Sequence, residues 1–340
     1  RWACAAAAAG PLVDAVSAAL GGKEVKFGVD CVGNAAREAI SQLQKGDVLL
    51  LENLRFHAEE EAGDEAFARE LASLGDVYIN DAFSCSHRAH ASITGVAQFI
   101  PVAAGRLMQQ EVDVLTSIFS GAEKPIGAVI GGSKISTKLE LLEHLTKTMD
   151  IIAIGGAMAN TFLYAQGYDV GKSKCEKDMK DVALSVLNNA EKNGCQIVLP
   201  PDLVVATHFA PQAPNRVLPV SKIPADCTAV DVGPATVQQF TQVLTACKTV
   251  VWNGPIGAFE TSPFDVSTVC LARAIASLTE IGSIRSIAGG GDTVSALTHS
   301  GLAESFSYLS TAGGAFLEWL EGKTLPGVAV LMNAPLKSCA

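Results

Sequence analysis

Four apolar runs in the second half of the chain break into glycine at their carboxyl ends, and this repeated junction constrains the fold more than any other feature. Ile130 leads into Gly131-Gly132-Ser133-Lys134, and Ile154 into Gly155-Gly156-Ala157-Met158. Trp252 leads into Asn253-Gly254-Pro255-Ile256-Gly257, and Ala288 into Gly289-Gly290-Gly291-Asp292-Thr293. Each run is apolar on successive residues, as strands covered on both faces are. Strand, glycine turn and helix, repeated, is the unit of a parallel α/β sheet. In an open sheet of this kind the carboxyl ends of the strands line one crevice, and ligands bind there. Glycine lets backbone approach a ligand closely. A helix that starts at the turn offers free N–H groups and the positive end of its dipole to an anion. Asp292 and Thr293 suit such a helix start. Asp292 also sets a carboxylate beside the phosphate position, which calls for a magnesium ion between them. One turn of this kind is as readily a capped tight turn; four at corresponding positions predict a nucleotide crevice.

The same alternation runs through the whole chain. Strands are expected at 25–29, 48–51 and 77–79, with helices at 35–43 and 65–74. An amphipathic helix at 105–119, broken by Lys124-Pro125, reads as a connector between domains. After it, strands are expected at 126–130, 151–154, 197–199, 229–232, 249–252, 283–288 and 308–309. Helices at 137–145, 157–165, 178–193, 236–246 and 264–278 fall between them. Residues 208–224 carry four prolines and read as an irregular crossover. The resulting division is 1–104, a connecting helix at 105–120, 121–322, and a closing segment at 323–340. A chain of 340 residues is long enough for two cores.

Composition narrows the partners. The net charge of -10 argues against nucleic acid. The 9 cysteines form no Cys-x-x-Cys and read as reduced thiols of a cytoplasmic protein. The longest uncharged run, 151–168, contains Gly155, Gly156, Asn160 and Gln166, so it is a strand, turn and helix and not a membrane span. The alanines from Ala5 to Ala9 lack the features of a secretory signal and read as part of a helix running towards Leu20.

Individual side chains sharpen the picture. Lys134 and Lys138 are four apart, which predicts one face of a helix that starts at the crevice, where ammonium groups neutralise phosphate. Neither a P-loop nor a dinucleotide fingerprint is present, which sets aside a dehydrogenase. Arg55 and Arg88 each follow an expected strand, and two guanidinium forks clamp a phosphate or carboxylate. His87 and His90 invite a metal reading, but no third ligand stands at a matching spacing, so imidazole hydrogen bonds within a turn are the expectation.

Six motifs occur here in one order: Glu52-Asn53-Leu54-Arg55-Phe56; Asn80-Asp81-Ala82-Phe83 with His87-Arg88-Ala89-His90; Gly131-Gly132-Ser133-Lys134; Val251-Trp252-Asn253-Gly254-Pro255; Gly289-Gly290-Gly291-Asp292-Thr293; and Ser310-Thr311-Ala312-Gly313-Gly314-Ala315. In this the chain resembles the phosphoglycerate kinase family, bacterial branch, from about Val25 to Val330. The resemblance implies two doubly wound parallel-sheet α/β domains facing across a cleft, in a cytoplasmic monomer. It implies reversible phosphoryl transfer between 1,3-bisphosphoglycerate and ADP, giving 3-phosphoglycerate and ATP, with Mg²⁺ and with no membrane partner. It also implies roles. Arg55 and Arg88 bind the phosphoglycerate. Lys138 meets the nucleotide phosphates, and Lys134 meets the phosphoryl group in flight, with Gly313, Gly314 and Arg55 near it. Glu260 meets the ribose, and Asp292 holds the metal. Gly290, Gly291 and Thr293 form the phosphate loop, and Gly132, Gly156, Asn253 and Pro255 complete the nucleotide site. Family members begin with a strand bearing Asp and Asn, a nearby Arg and a His-x-Gly-Arg segment that this sequence lacks. Without them the expectation is a chain that binds Mg–nucleotide but turns over poorly or not at all. The alternative is a non-catalytic nucleotide-binding relative.

Overall fold

The computed structural model describes residues 8–333. Most of the alanine run, Cys4, Cys339 and the tail at 334–340 lie outside the described residues. The chain divides into two compact units, one containing the residues up to Gln110 together with those from Thr324, the other Glu111–Lys323.

The first unit holds four short strands in two parallel pairs. β1 (Val25–Gly28) pairs with β2 (Val48–Leu51), and β3 (Tyr78–Asn80) pairs with β4 (Val102–Ala104). Helices Gly33–Ser41 and Glu65–Ala72 stand between strands. The second helix is started by Asp64, whose carboxylate accepts from the Phe67 N–H at 2.8 Å, a side-chain N-cap. Its apolar face packs Phe67 and Ala68 against Cys31, Val32 and Ala91. The helix Arg106–Phe119 begins where Asp81 accepts from the Met108 N–H at 2.8 Å. It buries Met108, Glu111, Leu115 and Ile118, a single stripe at helical spacing, and the boundary between the units falls inside it. The helix Pro326–Met332 returns to the first unit, where the Gly327 N–H donates to the Ser86 carbonyl at 2.8 Å.

The second unit is built on a six-stranded sheet. Its strands are β5 (Ile126–Ile130), β6 (Ile151–Ile154), β7 (Gln196–Val198), β11 (Thr249–Asn253), β12 (Arg285–Gly289) and β13 (Tyr308–Ser310), in the order β13-β12-β11-β5-β6-β7. All neighbours are parallel. The chain grows outward from β5 through β6 and β7, then restarts on the other side with β11. The order therefore reverses between β5 and β11, and an open sheet separates at its strand tips at such a point. β5 and β11 are buried along their whole length, which explains why they read as unbroken apolar runs.

Three expectations need correction. The strand expected at 229–232 is β10 (Thr228–Val232), and it is not in the parallel sheet. It pairs antiparallel with β8 (Asp202–Ala206), which pairs antiparallel with β9 (Asn215–Pro219). The proline-rich stretch is thus partly a strand, not an irregular crossover alone. The one proline within that strand, Pro219, is the last residue of β9, an edge strand, where proline is tolerated. Finally, residues 137–145 do not start a helix at the lysines: the helix is Leu139–Thr148, with Lys138 as its N-cap residue and Lys134 in the loop before it. The rest of the strand pattern holds to within two residues. No helix among the described residues is long and apolar enough to cross a membrane.

Candidate functional site

At the switch between β5 and β11 the strand tips meet backbone to backbone. The Gly131 N–H donates to the Asn253 carbonyl at 2.9 Å, and the Gly156 N–H to the Ile256 carbonyl at 2.9 Å. The spacing leaves no room for side chains. A Cβ on Gly131 would lie 2.0 Å from the Pro255 carbonyl oxygen, and one on Gly156 would lie 2.6 Å from that of Gly132. Gly290 adopts φ 96, a conformation that favours glycine, and opens the helix Gly291–His299.

Three side chains lock this arrangement. Trp252 donates its indole N–H to the Gly254 carbonyl at 2.7 Å. Thr293 accepts from the Gly254 N–H at 2.7 Å, so its hydroxyl orders the neighbouring turn. Asn253 donates its amide N–H to the Gly289 carbonyl at 2.8 Å and accepts from the Lys138 ammonium at 2.6 Å. Lys138 also donates to the Gly131 carbonyl at 2.7 Å. Its ammonium is therefore held between the tips of β5 and β11 although it lies outside the helix. Burial pushes its pKa down to about 8, and the Asp292 carboxylate works in the opposite direction.

Beside this cluster lies a cavity of about 470 Å³ lined by Gly132, Gly156, Pro255, Glu260 and Asp292. All belong to the second unit. Asp292 is exposed in the first turn of its helix and forms no ion pair among the described residues. It is a hard oxygen donor of the kind magnesium takes, one or two carboxylates being enough when phosphate oxygens supply the rest. Lys134 is exposed. Gly313 has φ 51 and precedes the helix Gly314–Leu320. Neither Gly313 nor Gly314 lines the cavity.

Sequence reasoning missed one wall of the cavity. Leu203 of β8 and Val230, Asp231 and Val232 of β10 line it, as do Phe209 and Asn160. Asp231 is buried, accepts from the Val232 and Ser267 N–H groups, and is pushed up to about 7 chiefly by burial. Only Gly233 follows β10, and the lining comes from residues within the antiparallel strands and not from a tip of the parallel sheet.

In the first unit, Arg55 follows β2, and Asn53 accepts from its N–H at 2.9 Å. Its guanidinium is paired with Glu61 at 2.5 Å, both side chains being exposed. Arg55 and Arg88 share a neighbourhood: the charges of both depress the His90 pKa, which burial lowers first and Glu60 and Glu61 oppose. His90 is buried with its Nδ1 3.7 Å from Glu60. The expected imidazole hydrogen bonds fail at His87, whose Nδ1 is buried without a partner.

A family model described as phosphoglycerate kinase matches residues 6–323. A phosphoglycerate kinase of Granulibacter bethesdensis is 54% identical over 321 residues, covering 94% of this chain and 81% of that protein. One from Rhodospirillum centenum is 55% identical over 320 residues, with 94% and 81% covered. Among solved structures, phosphoglycerate kinase from Coxiella burnetii superposes with TM-score 0.85 at 37% identity, covering 96% of this chain and 81% of that one. The enzyme from Pyrococcus horikoshii gives 0.82 at 28% identity, with 96% and 82% covered.

Proposed function

The chain belongs to the phosphoglycerate kinase family, and from that premise we propose how its own residues carry phosphoryl transfer between 1,3-bisphosphoglycerate and ADP. The relatives support the kinase over the non-catalytic module. This chemistry asks little covalent work of a protein; positioning and charge neutralisation carry it.

The second unit takes the nucleotide. The base and ribose occupy the 470 Å³ cavity, with Glu260 on the ribose hydroxyls and Gly132, Gly156 and Pro255 against the base and sugar. The phosphates lie along Gly290, Gly291 and the start of the helix Gly291–His299, whose N–H groups face an anion. Lys138, held by Gly131 and Asn253, supplies a fixed positive charge to them. Asp292 would hold Mg²⁺, which would supply charge neutralisation to the transferring phosphoryl group. Lys134, exposed and unencumbered by a buried partner, follows the phosphoryl group, with the Gly313 and Gly314 N–H groups beside it. The first unit takes the phosphoglycerate through Arg55 and Arg88. Substrates assigned to separate units must be brought together and dried before transfer, so a conformational closure belongs to the cycle. The free thiols suit a reducing, cytoplasmic setting.

The observation that carries this reading is the Lys138 ammonium, fixed at two strand tips beside a cavity that Asp292 also lines. A coupled assay with ATP and 3-phosphoglycerate, paired with calorimetric titration of ATP with and without magnesium, tests it. Asp292→Asn should abolish the magnesium dependence of ATP affinity. Undiminished dependence in that variant would overturn the metal assignment.

A further inference from the structure

Away from the nucleotide site, the described residues hold one group of metal-ligating side chains from different parts of the chain whose donor atoms converge. The atoms belong to Asp30, Cys31 and His57, and all lie within 4.8 Å of one another. Asp30 and Cys31 follow β1 and precede the helix Gly33–Ser41; His57 follows β2. Parallel pairing of β1 with β2 therefore brings the three together.

The local geometry is set by one carboxylate. Asp30 Oδ1 accepts from the Cys31 N–H at 2.7 Å and lies 2.8 Å from His57 Nε2. The His57 ring rests against Phe67, centroids 5.2 Å apart, which fixes the direction of Nε2. Cys31 is buried, and burial with the Asp30 charge beside it drives its thiol up to about 12. Such a thiol is neither a nucleophile nor a redox sensor, since both need a thiolate near neutral pH. A cation changes this, because the thiolate then has a charge partner. The Asp30 and His57 side chains keep 42% and 29% of their surface exposed, which leaves a way in and room for a water.

We propose that Asp30, Cys31 and His57 bind a zinc-type divalent cation through one carboxylate oxygen, the Cys31 thiolate and His57 Nε2, with water in the fourth position. Zinc bonds of about 2.0–2.3 Å in a tetrahedron set ligand atoms about 3.3–3.8 Å apart. The separations here, from 2.8 Å to no more than 4.8 Å, straddle that range, so side-chain rotation suffices. A mixed oxygen, nitrogen and sulfur set selects zinc or cobalt over magnesium. On binding, the thiol proton leaves to solvent, the proton that His57 Nε2 donates to Asp30 leaves that nitrogen, the imidazole holds one proton on Nδ1, and no group is oxidised.

Cobalt(II) serves as the probe, titrated into reduced, nucleotide-free protein and followed by absorbance. One equivalent should raise a thiolate-to-cobalt charge-transfer band with tetrahedral visible bands, and zinc should remove both. Cys31→Ser should abolish the charge-transfer band, while Cys270→Ser, at an exposed cysteine, leaves it intact. Asp30→Asn and His57→Gln should each weaken cobalt binding by more than about tenfold, the scale seen even for groups that only support a ligand. Absence of the band at one equivalent, or its survival in Cys31→Ser, overturns the proposal. If Cys31→Ser does not fold, the half-exposed His57→Gln decides, and unchanged affinity there overturns it equally.

Discussion

The two units hold their charged residues in opposite ways. In the second unit Lys138 is bound before any ligand arrives, by the Gly131 carbonyl and the Asn253 amide oxygen. Its supports are strands buried on both faces. In the first unit Arg55 is exposed and paired with Glu61, itself exposed. Its supporting strand β2 is only half-buried throughout, and Val29 and Ile79 stand open to solvent. The contrast teaches where preorganisation comes from. A six-stranded parallel sheet can hold an ammonium at its tips, because close-packed strands resist displacement. Two-stranded pairs offer less, so an arginine carried by one rests on a surface ion pair, which is worth only about 0–1 kcal/mol.

The strongest challenge to this contrast is steric. Gly131→Ala sets a Cβ 2.0 Å from the Pro255 carbonyl oxygen. It should cost more than about 4 kcal/mol by denaturant unfolding, or prevent folding. Gly75→Ala in the first unit meets only the Val77 carbonyl oxygen at 3.9 Å and should change stability by less than about 1 kcal/mol. Similar losses in both would erase the difference in rigidity.

Next in size is catalysis. Lys134→Ala should lower kcat by about 10²–10³, the scale for one lost transition-state donor, while ATP affinity changes little. Lys138→Ala should instead weaken ATP binding. Equal effects of both substitutions on both quantities would dissolve the distinction between a fixed and a free lysine.

A smaller effect appears on the pH axis. Lys138 sits at about 8 in the free protein, below its usual 10.5, because burial disfavours the charge. ATP affinity should therefore fall by up to about tenfold per pH unit above about 8 as the ammonium is lost, and Lys138→Ala should flatten this profile. The sign for folding is reversed: the folded state prefers the neutral amine, so this group adds stability to the unliganded protein as pH rises from about 8 towards 10.5. Calorimetry across that range reads both.

The smallest effect sharpens the first unit's side of the contrast. Glu61→Gln releases Arg55 from an exposed pair. The KM for 3-phosphoglycerate should fall by no more than about fivefold, the equivalent of about 1 kcal/mol, with kcat unchanged. A larger change would mean that the pair is a restraint comparable to those in the second unit.

Much of this was legible from residues alone, for identifiable reasons. The glycine turns after Ile130, Ile154 and Trp252 are visible because backbone contact at the strand tips admits no Cβ, and the turn after Ala288 because the Phe316 ring and the Asn253 side chain fill that space, a demand that composition records directly. The parallel strands were visible because burial on both faces leaves no polar alternation. The antiparallel sheet was not. Thr228–Val232, apolar at three of its five residues, reads as a strand like its parallel counterparts, and strand direction leaves no mark on composition. Pro214 and Pro219 concealed β9, since proline signals a break unless the strand is known to be an edge. Spacing alone puts Lys134 and Lys138 on one helix. The structure puts both ahead of it, where loop geometry turns the Lys138 ammonium back to Gly131. Asn160 and Asp231 carried no local signal: each sits in an ordinary apolar segment and reaches the cavity only through tertiary packing.

Asn253 has a donor end and an acceptor end, each committed to a different neighbour, Gly289 and Lys138. Flipping the amide would forfeit both contacts, so its orientation is unambiguous. A single side chain thereby couples the tips of β5, β11 and β12, so a displacement at any one of them is passed to the other two.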